Sequence, residues 1–456
     1  MDAPAPLSQS RVWELQRAFY EDNASEAFAE IPHQIVDNPF VAAAFARVVV
    51  GYLRDVARGG LDLDEPLYIV ELGAGPGRFA HGFMRELGAF VEALPFALPP
   101  IRYLLTDLGE RTVRQWASNP ALADGRFEFA RFDVAGEEGL ELGRVANPLV
   151  VIANYVFDSI PADAFAISGG GVQECLVSVE GTDVASMRPV FSRGPARSYD
   201  DPDLDALLEH YRTQLDGTVI TLPHVAIGCV RRLRELAGDR LLLLAADKTH
   251  STEASLAQRS EPELSVHGGS FSLMVNFHAL AWYAERHGGA ALHGGDRHMA
   301  LDVVALLFGS PPGGHAETRL AYTDTLDRFG PEDLSFLAEG IERVAPQLSL
   351  AELVALLRLS GWDAFTLLGV AGQLREQAAE ADPAAQDGLR EALLKTYERH
   401  FPVPGEADLP FTIGVLLFEL EDYEEAIEFF EASLEQHGPD EATERNIDIC
   451  ESQLRR

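Results

Sequence analysis

Apolar blocks broken by glycine, proline and single acids fill the first two thirds of the chain, and their spacing alternates between strand and helix. Tyr68-Ile69-Val70-Glu71-Leu72 is a short apolar run, and apolar residues then recur at helical spacing from Phe79 to Leu87. A buried strand that turns sharply into a helix is predicted there. Further strands are predicted at 101–107 after a proline-rich loop, at 126–134, at 148–154, at 241–246 and at 301–308. Helices are predicted at 12–30, 40–50, 110–117, 204–214 and 230–236. The stretch between Gly181 and Gly217 shows no strand period and reads as an irregular insertion of about residues 181–217. After Pro311-Pro312-Gly313-Gly314 the pattern is helical throughout, over 332–345, 350–360, 362–379 and 383–400, then as a helix pair within 411–434.

The first strand ends in an acid and three alternating glycines, Glu71-Leu72-Gly73-Ala74-Gly75-Pro76-Gly77. Glycine permits positive φ and removes the Cβ atoms that would keep a ligand from the main-chain N–H groups, so the unit reads as a nucleotide cradle. A dinucleotide fingerprint places its third glycine three residues after the second; here the pattern is Gly-x-Gly-x-Gly. A glycine-rich turn without a ligand is the structural alternative. Asp107 closes the second predicted strand, where a carboxylate can accept from two ribose hydroxyls or cap the next helix. Asp133 closes the third, as an adenine-amino contact or a solvated turn acid.

The glycine spacing with Glu71 upstream resembles the first motif of class I S-adenosylmethionine-dependent methyltransferases. That resemblance implies a cofactor site of Glu71, Gly73, Ala74, Gly75, Gly77, Asp107, Leu108, Asp133 and Asn154. It becomes more specific at Asn154, Phe157-Asp158-Ser159-Ile160-Pro161 and Phe165, which resemble the post-strand signature of MidA-like methyltransferases, a family that includes the mitochondrial complex I assembly enzyme that dimethylates an arginine. Stretches 106–115, 241–247 and 274–280 agree in order, so the resemblance runs from about residue 15 to 310. It implies a Rossmann-like α/β fold: a seven-stranded, mostly parallel class I methyltransferase sheet with N-terminal helices. It also implies Asn154, Asp158 and Tyr155 as the catalytic set beside the sulfonium methyl. Two departures stand out. Tyr155 replaces a glutamate common in the family, and the family's glycine-aspartate stretch is not recognisable at 31–38. Arginine needs a carboxylate partner because its guanidinium is planar and always charged; Asp158 can supply one, and the Tyr155 ring can stack on it.

Composition changes this picture in a few places. The net charge of −36 opposes binding to nucleic acid or anionic membrane, both of which are held mainly through Lys and Arg. Three scattered cysteines support neither a disulfide framework nor a zinc knuckle, and the start of the chain lacks a signal-peptide pattern, so a cytoplasmic protein is expected. His267, His278, His287, His293 and His298 are scattered among glycines, and no metal site is predicted from them. Residues 268–271 read as a loop that could close over the site, and Trp282 and Tyr283 as core.

The predicted organisation is an N-terminal helical lid over 1–60, a methyltransferase domain over 61–310 and an all-α repeat-like domain over 311–456. Residues of about 405–456 resemble a tetratricopeptide repeat, with Gly414 and Ala426 allowing a close helix crossing. The expected function is transfer of a methyl group from S-adenosyl-L-methionine, leaving S-adenosyl-L-homocysteine, to a protein or peptide docked by the C-terminal helices, arginine by resemblance. Three alternatives stay open: a methyltransferase-fold scaffold with little or no activity, a small-molecule methyltransferase, and a homodimer surface in place of the docking groove.

Overall fold

The computed structural model describes residues 2–23, 34–295, 300–311 and 313–456. The chain divides into two compact units, one of residues 1–36 and 43–331, the other of 37–42 and 332–456.

In chain order the first unit contains helices α1 (Arg11–Asn23) and α2 (Pro39–Ala57), whose first residues belong to the second unit, then strand β1 (Leu67–Leu72) and α3 (Arg78–Glu92). Next come β2 (Ile101–Asp107), α4 (Glu110–Ser118), β3 (Phe127–Arg131) and β4 (Leu149–Asn154). A second group follows: β5 (Asp163–Ser168), β6 (Gly171–Glu180), β7 (Arg188–Pro195), α5 (Pro202–Gln214) and β8 (Thr218–Leu222). The unit continues with α6 (His224–Leu236), β9 (Leu241–His250), a hairpin of β10 (Leu264–His267) and β11 (Ser270–Leu273), α7 (Phe277–Arg286), β12 (Ala290–Leu292), β13 (Leu301–Leu307) and α8 (Ala316–Tyr322).

The large sheet runs β12-β13-β9-β4-β1-β2-β3, with the two residues Val275–Asn276 pairing at the far end of β9. Strands β9, β4, β1, β2 and β3 are mutually parallel, and β13 runs antiparallel to both β9 and β12. Val70, Leu72, Val150, Val151, Ile152, Leu243 and Leu244 are fully buried, which explains why these strands read as continuous apolar runs. From β1 the chain steps outward through β2 and β3, then returns to the other side of β1 as β4. That reversal opens a crevice at the carboxyl ends of β1 and β4, where open α/β sheets bind ligands.

Contrary to the irregular insertion expected at 181–217, β7 pairs along its whole length with β6, and α5 follows it. The strands β7, β6, β5 and β8, with Ala5–Pro6 pairing to Leu176 and Val177 of β6, form a five-stranded antiparallel sheet. Buried Asp163 ties it together by accepting from the Ser8 amide (3.2 Å), the Tyr199 hydroxyl (2.6 Å) and the Arg197 guanidinium (2.5 Å). The unit boundary also falls later than Pro311. The Thr318 amide and hydroxyl donate to buried Asp55 of α2 at 2.9 and 2.8 Å, which holds α8 to the first unit.

The second unit comprises α9 (Pro331–Val344, less its first residue), α10 (Leu350–Leu359), α11 (Ala364–Ala378), α12 (Pro383–Glu398), α13 (Leu409–Glu419), α14 (Tyr423–His437) and α15 (Glu441–Leu454). Ser349, Asp363, Asp382, Asp408 and Asp440 cap α10 to α13 and α15 with their side chains. Trp362 was expected to begin a helix; instead it adopts φ +65° beside Gly361, and α11, capped by Asp363, starts two residues on at Ala364. A Cβ at Gly414 would lie 2.8 Å from the Phe430 ring, so only glycine lets α13 cross α14 this closely. Gly414→Val is expected to lower stability by about 1–3 kcal/mol through overpacking, read as a lower thermal midpoint of the helical unit. An unchanged midpoint would show that the crossing relaxes freely.

Candidate active site

The glycine loop between β1 and α3 is anchored on its neighbours. Gly73, Gly75 and Gly77 all take positive φ, as the cradle requires. The Ala74 amide donates to the Thr106 carbonyl (2.9 Å), the Gly75 amide to Asp107 Oδ2 (3.2 Å), and the Trp116 indole to the Gly75 carbonyl (2.9 Å). Glu71 is buried and accepts from the Tyr103 hydroxyl at 2.9 Å. A Cβ on Gly73 would lie 3.0 Å from Val156, so the loop rests against the chain just beyond β4.

Asp107 stands at the end of β2. Its Oδ1 accepts from the Gly109 amide (3.1 Å), while α4 itself has Gly109 at its N-cap position with no side-chain cap. The carboxyl therefore braces two loops. Burial pushes it up to about 6, against the partial relief of the Gly109, Gly75 and Leu108 amides. Leu108 follows, its carbonyl accepting from Arg131 (2.9 Å). Asp133 Oδ2 accepts from Arg17 of α1 at 2.6 Å and its Oδ1 from the Ala135 amide at 3.0 Å, which ties it to the helix over the site.

At the end of β4 the chain breaks sharply. Tyr155 takes φ +53°, strained for a non-glycine residue, and its amide donates to the Ala246 carbonyl of β9 (2.9 Å). This turn leads into a single 3-10 turn, Phe157–Ser159, that buries Asp158. Neither Asn154 Oδ1 nor Nδ2 has a hydrogen-bond partner among the described residues, though both atoms are buried. Such a group costs free energy unless a ligand or water satisfies it.

Sequence reasoning noted Asp247 only as an acid ending a strand. In the fold it is fully buried beside Asp158, and its Oδ2 accepts from the Phe157 amide at 3.0 Å. Burial raises both acids, Asp158 to about 6 and Asp247 well above the usual carboxylate range, the latter raised further by the Asp158 charge. Asp247 Oδ1 has no donor among the described residues. The hydrogen bond between the two carboxyls lowers Asp158 and raises Asp247, so Asp158 is the acid of the pair that ionises first. The Ser159 hydroxyl donates to Asp158 Oδ1 at 2.7 Å, and Lys248 favours its charged form.

Helix α1 covers this region. Tyr20 interacts with the Ser159 and Ser270 side chains, and burial followed by the Asp158 charge pushes its hydroxyl up to about 12. Gln16 clamps the β10-β11 hairpin by donating to the Phe271 carbonyl (2.6 Å) and accepting from the Phe271 amide (2.9 Å), so residues 268–271 form a bonded hairpin turn. The expected helix at 12–30 is seen to Asn23, and residues 24–33, which hold the first three positions of the stretch 31–38, lie outside the described residues, as does His298.

Residues 45–294 match the model of the family described as "Putative S-adenosyl-L-methionine-dependent methyltransferase", more than half of the chain, and the protein belongs to that family. It is an S-adenosyl-L-methionine-dependent methyltransferase. No curated relative matches the sequence. Among solved structures, it is similar to a COG1565 superfamily member from Burkholderia thailandensis bound to S-adenosyl-homocysteine, at 18% identity over 67% of this chain and 88% of that one, TM-score 0.45. A native structure from that superfamily and organism matches at 17% identity over 67% and 87%, TM-score 0.45. The CcbJ methyltransferase from Streptomyces caelestis matches at 13% over 64% and 98%, TM-score 0.32. In the membrane sense, no helix among the described residues is long and apolar enough to cross a bilayer.

The residues present fit the cofactor: a glycine cradle, a strand-end carboxylate and an unsatisfied amide stand at the carboxyl ends of the adjacent parallel strands β1, β2 and β4. A carboxylate accepts from two ribose hydroxyls more strongly than the neutral acid does, and Asp107 is the acceptor expected for them. Binding therefore favours the carboxylate, and affinity for S-adenosyl-L-homocysteine is expected to rise as pH climbs through about 6, then level off, with protons released on binding below that point. Calorimetry in two buffers of different ionisation enthalpy checks this; a pH-independent affinity would remove Asp107 from the ribose.

Proposed function

We propose that this enzyme methylates a cationic protein side chain, arginine first, as the MidA-like resemblance implies. The observation that carries the reading is the buried Asp158–Asp247 pair beside the unsatisfied Asn154 amide. A desolvated pair in which Asp158 is the acid that ionises first suits a guanidinium, which is always protonated and presents several N–H donors in one plane. The cofactor supplies an electrophilic methyl carbon on a sulfonium, and displacement at that carbon depends chiefly on holding the nucleophile in line. In this reading Asp158 holds the guanidinium charge, Asn154 orients its nitrogen or the cofactor, and the Tyr155 ring stacks on its face.

Under the same reading, the parallel core with antiparallel β13 is a class I methyltransferase sheet, and α13 with α14 is a tetratricopeptide-like pair that docks the acceptor protein. The charge of −36 favours basic partners over nucleic acid or membrane. Incubating a lysate with the enzyme and methyl-labelled cofactor tests it. Label recovered in protein as methylarginine is the expected result. Label confined to small molecules would overturn the protein acceptor, and no transfer despite cofactor binding would put the scaffold alternative in front.

A further inference from the structure

The titratable groups away from the crevice include one cluster that the methyl-transfer chemistry does not use. His210 lies in the last turns of α5, Glu253 in the turn after β9, and His278 in the first turn of α7. We propose that His210, Glu253 and His278 bind a divalent transition-metal ion, zinc before others.

Each of the three side chains offers one ligand atom, and these atoms all lie within 4.8 Å of one another. His210 Nε2 and Glu253 Oε2 are already 2.9 Å apart, and the two imidazoles stack with centroids 6.1 Å apart and planes at 21°. Tetrahedral zinc with bonds of about 2.0–2.1 Å needs donors roughly 3.3 Å apart, so side-chain rotations of about an ångström close the site. His210 and Glu253 are only partly buried and free to make them. Two imidazoles and a carboxylate are a zinc donor set, and His293, near enough to influence the charge of His278, or a water completes four.

The surroundings of His278 prepare it as a ligand. Its Nδ1 is 2.8 Å from the hydroxyl of fully buried Tyr211. Asn276 sits beside that hydroxyl, its own amide fixed by donation to the Thr221 carbonyl (2.9 Å) and acceptance from the Ala279 amide (3.0 Å). With Nδ1–H donating to Tyr211, the lone pair of Nε2 is left for a metal; a ligating histidine is commonly oriented this way through its other nitrogen. Imidazolium is also disfavoured at the N-terminus of α7. An ion here would join α5, the segment leaving β9 and α7, fixing the chain that follows Asp247.

The test uses the full-length protein, stripped with chelator and then dialysed against zinc alone. One zinc retained per chain is expected, with a higher thermal midpoint. His210→Ala and Glu253→Gln, both partly exposed and so compatible with folding, are each expected to weaken binding at least about tenfold, and Tyr211→Phe about 10–100-fold through loss of the orienting bond. The Trp282 ring lies 6.1 Å from that of His210, so cobalt should quench its fluorescence and zinc should restore it. Trp282→Phe should remove that signal while leaving zinc content unchanged, and His437→Ala in the helical unit should change neither. No zinc retained by the wild type, or wild-type zinc content and affinity in both His210→Ala and Glu253→Gln, would overturn the proposal.

Discussion

Asp158→Asn is expected to leave S-adenosyl-L-homocysteine affinity within a few-fold of wild type while lowering kcat/KM for methyl transfer by about 10²–10³, the usual loss when one preorganised electrostatic group is removed from a desolvated site. The substitution keeps the shape of the 3-10 turn and the Ser159 contact but removes the negative charge that a cationic acceptor needs. The pH profile separates this from a structural role. With burial holding Asp158 at about 6, wild-type transfer should rise as pH passes through about 6, because the ionised form is the active one. In Asp158→Asn that limb should vanish. Equal losses of cofactor binding and transfer would instead make Asp158 a structural element of the crevice.

The second large effect falls on binding. Asp107→Ala removes the acceptor of the Gly75 and Gly109 amides, unpinning the glycine loop and the start of α4 together. It also removes the carboxylate expected to take two ribose hydroxyls. At about 1.5–3 kcal/mol for each hydrogen bond to a charged group, cofactor affinity should drop roughly 10²–10⁴-fold. Asp107→Asn, which keeps an oxygen for one amide but not the charge, should fall between. Titration calorimetry reads both, and wild-type affinity in Asp107→Ala would mean that the cofactor sits elsewhere.

Much of this site was legible because its parts are local. Strands β1, β2 and β4 are apolar runs with one acid, asparagine or glycine at the carboxyl end, and parallel burial on both faces makes such runs unmistakable. What sequence could not reveal is which distant groups meet. Asp247 pairs with Asp158 only because β9 lies beside β4, and the rise of both acids follows from burial that no local pattern encodes. Nor does any local pattern bring Arg17 of α1 to Asp133. His210 and Glu253 carry no spacing signal toward His278; three elements converge to place them. Strand β7 escaped notice because it pairs only with β6 and carries prolines at Pro189 and Pro195, both features of edge strands. Helices α10 to α13, by contrast, were legible from their apolar spacing to within about two residues, and the caps Asp363 and Asp408 account for where α11 and α13 actually start.

Hydrogen–deuterium exchange of the wild-type protein with and without S-adenosyl-L-homocysteine tests the central claim most directly, since it reports where the cofactor sits without assuming an acceptor. The expected result is slowed exchange confined to three segments, the loop 73–77, the strand end at 107–109 and the turn 154–159, with α1 protected as well if it closes over the crevice. Protection at other segments, or a saturating ligand that protects none of these three, would contradict the account.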